Sequence, residues 1–368
     1  MLEVADVFQR YGAEYLRKYA GKMLPGHHRA FQDILSCRTP AMGGQVYSCD
    51  HCDHQVYSYH SCKNRSCPKC CGGETELWLE KRRKEMLPVS YFHVVFTIPP
   101  ELRPYVRSRQ KVMYSILMKA AGRSLIKLAG DPHYVGGLIG ILTVLHTWSR
   151  TLEYHPHVHC LVPAGGVSPD RQWLPARKNY LVPVKALSKI FRGMFKQLAA
   201  KELPEAQIPE TVWTRNWVVY CKASVQGAGK VLNYLGRYVH RIAIANSRIL
   251  SIDNGKVSFR YQNSRDGKWK IMTLEAMEFI RRFLQHVLPR GIHKVRYYGL
   301  WNPSHRNCLR GLQIALAQEN PIPSSCMAEL LIETVLTVLM QNGKSCPRCG
   351  KGILLCRGII HRRKEVPP

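Results

Sequence analysis

Apolar residues recur at three- and four-residue intervals along the first 35 positions (Val4, Val7, Phe8, Tyr11, Tyr15, Leu16). That spacing predicts amphipathic helix. A cysteine-rich segment follows, from Cys37 to Cys71, and Gly72-Gly73 closes it. Glu74 to Met86 reads as a helix stopped before Pro88. The pattern then changes. Tyr91 to Ile98 (YFHVVFTI) is a strand ended by Pro99-Pro100, and residues 105–129 carry a helical apolar stripe. Leu138 to His146 reads as a buried strand, Thr147 to Glu153 as a polar connector, and Tyr154 to Val162 as the antiparallel return strand.

Further along, Pro183 to Leu203 predicts a helix, Trp217 to Lys222 a strand and Gly229 to Arg241 a helix. Ile249 to Tyr261, with Asn254-Gly255 at its centre, is a hairpin. Leu274 to Val287 is amphipathic, and His293 to Leu300 is a last strand. Helices and antiparallel strands in this succession predict an α+β fold rather than a doubly wound parallel sheet. The pattern divides into residues 1–86 (helices and cysteines), 87–315 (the α/β run) and 316–368 (a helix, a cysteine knuckle and a basic tail).

Composition narrows the function classes. The 368 residues are 45% hydrophobic, which a folded core requires. No uncharged apolar stretch approaches the ~20 residues of a membrane span, and no secretory signal is visible. These features predict a cytoplasmic protein with no membrane partner. Lys plus Arg number 54 against 25 Asp plus Glu, a net charge of +29. Such an excess favours a polyanionic partner, nucleic acid first.

Chemistry-bearing residues lie in three places. Cys49-x2-Cys52 and Cys67-x2-Cys70 have the spacing of a tetrahedral thiolate zinc site, and these four are the expected ligands. Cys37, Cys62, Cys71 and nearby histidines compete with them. A second knuckle, Cys346-x2-Cys349, with Cys356 and His361, suggests another small zinc site. In His155-Pro156-His157-Val158-His159 the imidazoles alternate onto one strand face, where His157 and His159 can hold a metal and His155 is a candidate third ligand. Tyr234 and Tyr238 stand one helical turn apart, with His240 close behind. Together these features suggest attack of a tyrosine oxygen on a phosphodiester assisted by a divalent cation. No GxxxxGK[ST] loop is present, so no nucleotide cofactor is expected. Trp148, Trp269 and Trp301 lie near predicted loops, where aromatic rings can stack on bases or pack in the core.

Longer stretches carry a family resemblance. They are ILSCRTPAMGG (34–44), SCKNRSCPKC (61–70), YFHVVFTIPPEL (91–102), LHTWSRTLEYHPHVHCLVPAGG (145–166), YLGRYVHRIAIANSRIL (234–250), EFIRRFLQHVLPRG (278–291) and KVRYYGL (294–300). The chain resembles the rolling-circle transposases of bacterial insertion sequences, the two-tyrosine branch of the His-hydrophobic-His nucleases, typified by insertion sequence ninety-one. One departure is Ser66, where the family pattern carries a histidine.

The resemblance implies an N-terminal zinc-binding domain and a catalytic domain with a ferredoxin-like antiparallel sheet. It implies that His157 and His159 bind Mg2+ or Mn2+ and that Tyr234 and Tyr238 are the nucleophiles. The expected substrate is single-stranded DNA at element ends, joined to target DNA through a 5′-phosphotyrosine, in a bacterial, nucleoid-associated setting. A replication initiator or relaxase would use the same chemistry. A non-catalytic zinc-containing DNA-binding regulator is the rival outside enzymology.

Overall fold

The computed structural model describes residues 1–70, 78–223, 236, 242–263, 266–319 and 345–362. Among these, α1 (Val4–Tyr19) and α2 (Pro25–Ser36) make the helical start of the chain. The Asp6 carboxylate accepts from the Glu3 amide at the first turn of α1, 2.8 Å away, where the helix dipole favours negative charge. Pro25 opens α2 at the first-turn position, where its missing N–H costs nothing. Then come β1 (Gly44–Cys49) and β2 (Gln55–Tyr59).

The central layer is built from β3 (Tyr91–Thr97), the short α3 (Arg103–Ser108), the long α4 (Gln110–Ala129), β4 (Gly140–Trp148) and β5 (Tyr154–Pro163). After a small β6–β7 pair (Gly165–Val167 and Trp173–Pro175) come α5 (Val184–Glu202), the one-turn α6 (Thr211–Thr214) and β8 (Val218–Ala223). With β12 (Val295–Gly299) at one edge, the sheet order is β12-β4-β5-β3-β8, and every pairing in it is antiparallel. Without β12, this is the βαββαβ arrangement of the ferredoxin-like fold.

Alternation sorts the two faces of this sheet. Phe92, Val94 and Phe96 of β3, Ile141 and Leu145 of β4, and Val158, Cys160 and Val162 of β5 share a core with buried residues of α4 and α5. On the opposite face, Tyr91, Leu142, Val144 and Leu161 are covered at one end by Trp301 and by Leu309, Leu312 and Leu316 of α8 (Arg306–Glu319). The other end of that face carries His93, His146, His157 and His159. Among the described residues, α8 covers only the first end, and His146, His157 and His159 line a cleft at the other.

A second layer is built from residues beyond 242. β9 (Ile249–Asp253), β10 (Lys256–Gln262) and β11 (Trp269–Glu275) form an antiparallel meander. Asn254 and Gly255 turn the β9–β10 hairpin with φ of 50° and 74°, the left-handed pair a tight two-residue hairpin requires. The segment expected as a helix from Leu274 instead finishes β11 at Glu275 and then forms α7 (Ala276–Leu284). Phe279, Ile280, Phe283 and Leu284 of α7 pack against α1 and α2. Phe8 stacks on Phe31 at 4.7 Å and meets Phe283 edge-on at 5.5 Å. The first helices thus share their core with residues 243–287 rather than with the central sheet.

A third sheet, in the order β13-β1-β2, brings β13 (Leu354–Ile360) beside β1. No helix among the described residues is long and apolar enough to cross a membrane.

Candidate metal centres and active site

The cysteines form two groups, and neither is the one that spacing predicts. Cys37, Cys62, Cys67 and Cys70 present sulfurs within 4.8 Å of one another, and so do Cys49, Cys52, Cys346 and Cys349. The expected set of Cys49, Cys52, Cys67 and Cys70 is therefore split between two centres. The physical reason is β2. Cys49 and Cys52 flank the β1–β2 turn, whereas β2 carries the chain back to the end of α2, where Cys37 waits for Cys62, Cys67 and Cys70. Cys37 Sγ lies 3.5 Å and Cys62 Sγ 3.6 Å from Cys70 Sγ.

Cys356 and His361 are likewise not ligands with Cys346 and Cys349. Cys356 sits on β13 opposite Tyr47 and is exposed, and His361 is exposed beyond the strand. Once β13 leaves the knuckle it runs away from the sulfurs, so residues farther along cannot return.

The first group is built for a cation. Arg38 and Lys63, which directly follow Cys37 and Cys62, have φ of 56° and 53°. Each left-handed non-glycine residue costs roughly 1 kcal/mol, which the ligand geometry must offset. Hydrogen bonding from Cys67 holds the Cys62 thiol down at about 6, while Cys67 itself is pushed far up by that same contact and by burial. Burial raises Cys37 to about 11. Four sulfurs this close must share protons unless a divalent ion replaces them, which is how thiolate sites couple metal binding to folding. Arg65, between Cys62 and Cys67, donates to the carbonyls of Leu288, Pro289 and Ile292 at 2.6–2.7 Å, locking the centre to the chain after α7. Ser66, at the departure from the family pattern, uses its amide to bond Asn64 Oδ1 at 2.9 Å.

The histidine centre lies at the other end of the sheet face that α8 covers, with His146 and His159 buried and His157 half-buried. His146, His157 and His159 converge, each offering one nitrogen, with those atoms within 4.8 Å of one another. Strand register explains the grouping. His146 pairs directly with His157 across β4–β5, and His159 follows two residues later on the same face. His146 is the candidate ligand that sequence reasoning missed. Within LTVLHTW it looks like one polar residue in a buried strand, and only the β4–β5 register places it beside the other two.

Hydrogen bonds preset two of the rings. His157 Nδ1 lies 2.7 Å from the His155 carbonyl, so Nδ1 carries the proton and Nε2 keeps its lone pair. His159 Nδ1 lies 2.9 Å from His93 Nε2. Ring orientation by a partner on the far nitrogen is the usual support of a metal-ligating histidine.

His155 lines the same cleft but stands outside the converging set. The β4–β5 register shifts between His146 and Trp148, the place where Pro156 has no N–H to donate. The His155 ring is left to accept from Arg103 Nη2 at 2.8 Å. Burial, with the Arg103 charge, lowers its pKa.

The cleft above the histidines encloses about 450 Å³ and is walled by Trp148, Arg150, Arg248, Tyr261 and Asn263. Arg150 donates to the Gln262 carbonyl at 2.8 Å and Arg248 to the Arg260 carbonyl at 2.7 Å, so the β9–β11 sheet forms one bank. Trp148 stacks on His146 at 4.6 Å. Trp301 is core, stacked on Tyr91, whereas Trp269 is 60% exposed beneath the Arg260 guanidinium.

Tyr234, Tyr238 and His240 lie outside the described residues. Gly236, between the two tyrosines, is helical and buried. A Cβ there would stand 2.7 Å from the Leu79 side chain. The neighbour of Leu79, Trp78, packs on the cluster that covers the end of the central sheet's face away from the histidines.

Comparison with known proteins gives this arrangement a context. A relative in Sinorhizobium fredii, "Putative transposase y4qJ", is 37% identical over 96% of this chain and 94% of its own length. The chain belongs to the insertion sequence ninety-one family of transposases. The "Transposase for insertion sequence element IS801" of Pseudomonas savastanoi pv. phaseolicola is 28% identical over 72% of this transposase and 68% of the relative. The family model described as "Transposase zinc-binding domain" matches residues 7–98, and the one described as "Putative transposase" matches 140–308. The first range holds the whole Cys37 centre. The second holds the three converging histidines and both tyrosines. No solved structure matches the transposase significantly.

Proposed function

We propose that this transposase nicks and rejoins single-stranded DNA at the ends of its element through a 5′-phosphotyrosine formed on Tyr234 or Tyr238. The observation that carries the proposal is the convergence of His146, His157 and His159 on one face of a ferredoxin-like sheet, inside a cleft with basic walls.

The donor set fits a divalent cation. Three imidazoles come from two adjacent strands, and two have their far nitrogen engaged, so little reorganisation accompanies binding. Mg2+ or Mn2+ held there would draw charge from a non-bridging phosphate oxygen. In the nicking step the phenol oxygen bonds to phosphorus and loses its proton, and the 3′-oxygen departs as a hydroxyl. In rejoining, a 3′-hydroxyl attacks the phosphotyrosine and the phenol is restored. The bond energy is conserved, so no nucleotide is consumed.

Tyrosine has a pKa near 10 and needs a cationic neighbour to react at neutral pH. Trp148 and Tyr261 in the cleft wall suit unstacked bases, and the charge of +29 suits a phosphate backbone.

The test is cleavage of labelled single-stranded DNA bearing the element end, with Mn2+, Mg2+ or chelator, followed by peptide mapping of any covalent adduct. A cation-dependent adduct on Tyr234 or Tyr238, absent in Tyr234→Phe/Tyr238→Phe, is the expected result. Tight binding without an adduct would overturn the proposal in favour of a regulator.

A further inference from the structure

The β13-β1-β2 sheet has almost nothing to hold it together by burial. In the segment 345–362, Cys346 and Gly352 alone are buried. Ile353, Leu355 and Ile359 are at least 42% exposed. Tyr57 on β2 is also exposed. A ribbon without an apolar core needs another source of folding energy, and small domains commonly take it from a disulfide or a metal.

The two knuckles at the end of this ribbon have matching backbones. The residue after the second cysteine is left-handed in both, Asp53 at φ 52° and Gly350 at φ 67°. Each knuckle also directs an amide at a sulfur. His51 N lies 3.4 Å from Cys49 Sγ, and Gly352 N lies 3.4 Å from Cys349 Sγ. Such N–H···S contacts favour thiolate over thiol. The sulfurs interdigitate, with Cys49 3.7 Å from Cys349 and Cys52 3.7 Å from Cys346. All four cysteines are unbridged.

The approach of the knuckles is fixed by the backbone. Asp50 Oδ1 accepts from Ile353 N at 2.8 Å, and β1 pairs with β13 from Gly44↔Ile360 to Cys49↔Leu354. Gly352 has no room for a side chain, because a Cβ would sit 2.4 Å from Cys49 Sγ.

We propose that Cys49, Cys52, Cys346 and Cys349 bind a second structural zinc ion, which clasps the end of the chain to its beginning across nearly 300 residues of sequence. Cys346 and Cys349 lie beyond both matched ranges, 7–98 and 140–308, so the zinc-binding match does not account for them. The ion is soft, divalent and four-coordinate by the chemistry of its donors. It is independent of the strand-transfer reading, because no DNA chemistry enters the argument.

The test is zinc content by native mass spectrometry on the full chain carrying His157→Ala and His159→Ala, which removes the imidazole site from the count. Two zinc ions per chain are expected. Adding Cys346→Ser and Cys349→Ser should leave one, and adding Cys356→Ser instead should leave two. Because the knuckle variants remove the ribbon's source of folding energy, thiol alkylation of the unmutated chain supplies a second reading. Cys49, Cys52, Cys346 and Cys349 should resist alkylation together and become reactive together on adding chelator, while Cys356 reacts at once. One zinc per chain before the knuckle is altered, chelator-insensitive protection of these thiols, or a disulfide recovered between the knuckles would each overturn the proposal.

Discussion

His93 Nε2 stands 2.9 Å from His159 Nδ1, joining a ring on β3 to a ring of the converging set on β5. Burial lowers His93 to about 4, so its ring is neutral at neutral pH. Replacing His93 with alanine removes this contact from the His159 ring. Far-nitrogen partners of this kind are typically worth about 10–100-fold in metal affinity. His93→Ala should therefore raise the Mn2+ concentration for half-maximal cleavage by about tenfold or more, with DNA binding retained. An unchanged Mn2+ curve would remove His93 from the support of the site.

His146 is the sharper case. His146→Ala and His157→Ala should each lower single-strand cleavage at least about a hundredfold, because each removes one of three donors. Binding of labelled DNA measured in chelator should be little changed. Wild-type cleavage by His146→Ala at saturating Mn2+ would mean that two imidazoles suffice.

Much of this site was legible from residues alone. HPHVH alternates on a strand by simple period-two geometry, and the Asn254-Gly255 hairpin followed from turn chemistry. What was hidden depended on register or on distant pairing. His146 and His93 are single histidines in apolar runs, and nothing local distinguishes them from core residues. The cysteines misled for a related reason. Spacing favours knuckles adjacent in sequence, but β2 separates Cys49 and Cys52 from Cys67 and Cys70 and gives each pair a partner elsewhere. Spacing cannot report that Cys346 lies beside Cys52.

Acid should destabilise the fold through buried histidines. Burial lowers His286 to about 3 and His27 to about 4. The unfolded chain, with histidines near 6.5, binds these protons first as pH falls. Stability is thus fully present above about 6.5 and is lost progressively toward 4. A thermal melting series should show the midpoint falling across that window, and His286→Asn should flatten the slope. A midpoint constant between pH 6.5 and 4 would contradict the burial of these rings.

Trp269 separates surface from core among the tryptophans. It is 60% exposed, with the Arg260 guanidinium 5.3 Å from its ring centroid. Trp269→Ala should weaken single-stranded DNA binding by about 1–3 kcal/mol if a base stacks there, with a melting temperature close to wild type. Unchanged affinity would confine base stacking to the cleft.

The sharing of one core by α1, α2 and residues 243–287 has a consequence in time. At roughly 5–20 residues per second, a ribosome takes roughly 10–40 s to travel from the end of α2 to the first of those partners. During that interval Phe8, Phe31 and Ile34 have no lasting cover, and α1 and α2 must wait for α7 to emerge. The nascent chain is therefore at its most vulnerable to proteolysis and aggregation in the middle of its synthesis. A message cut short before α7 yields a chain that never buries its own beginning.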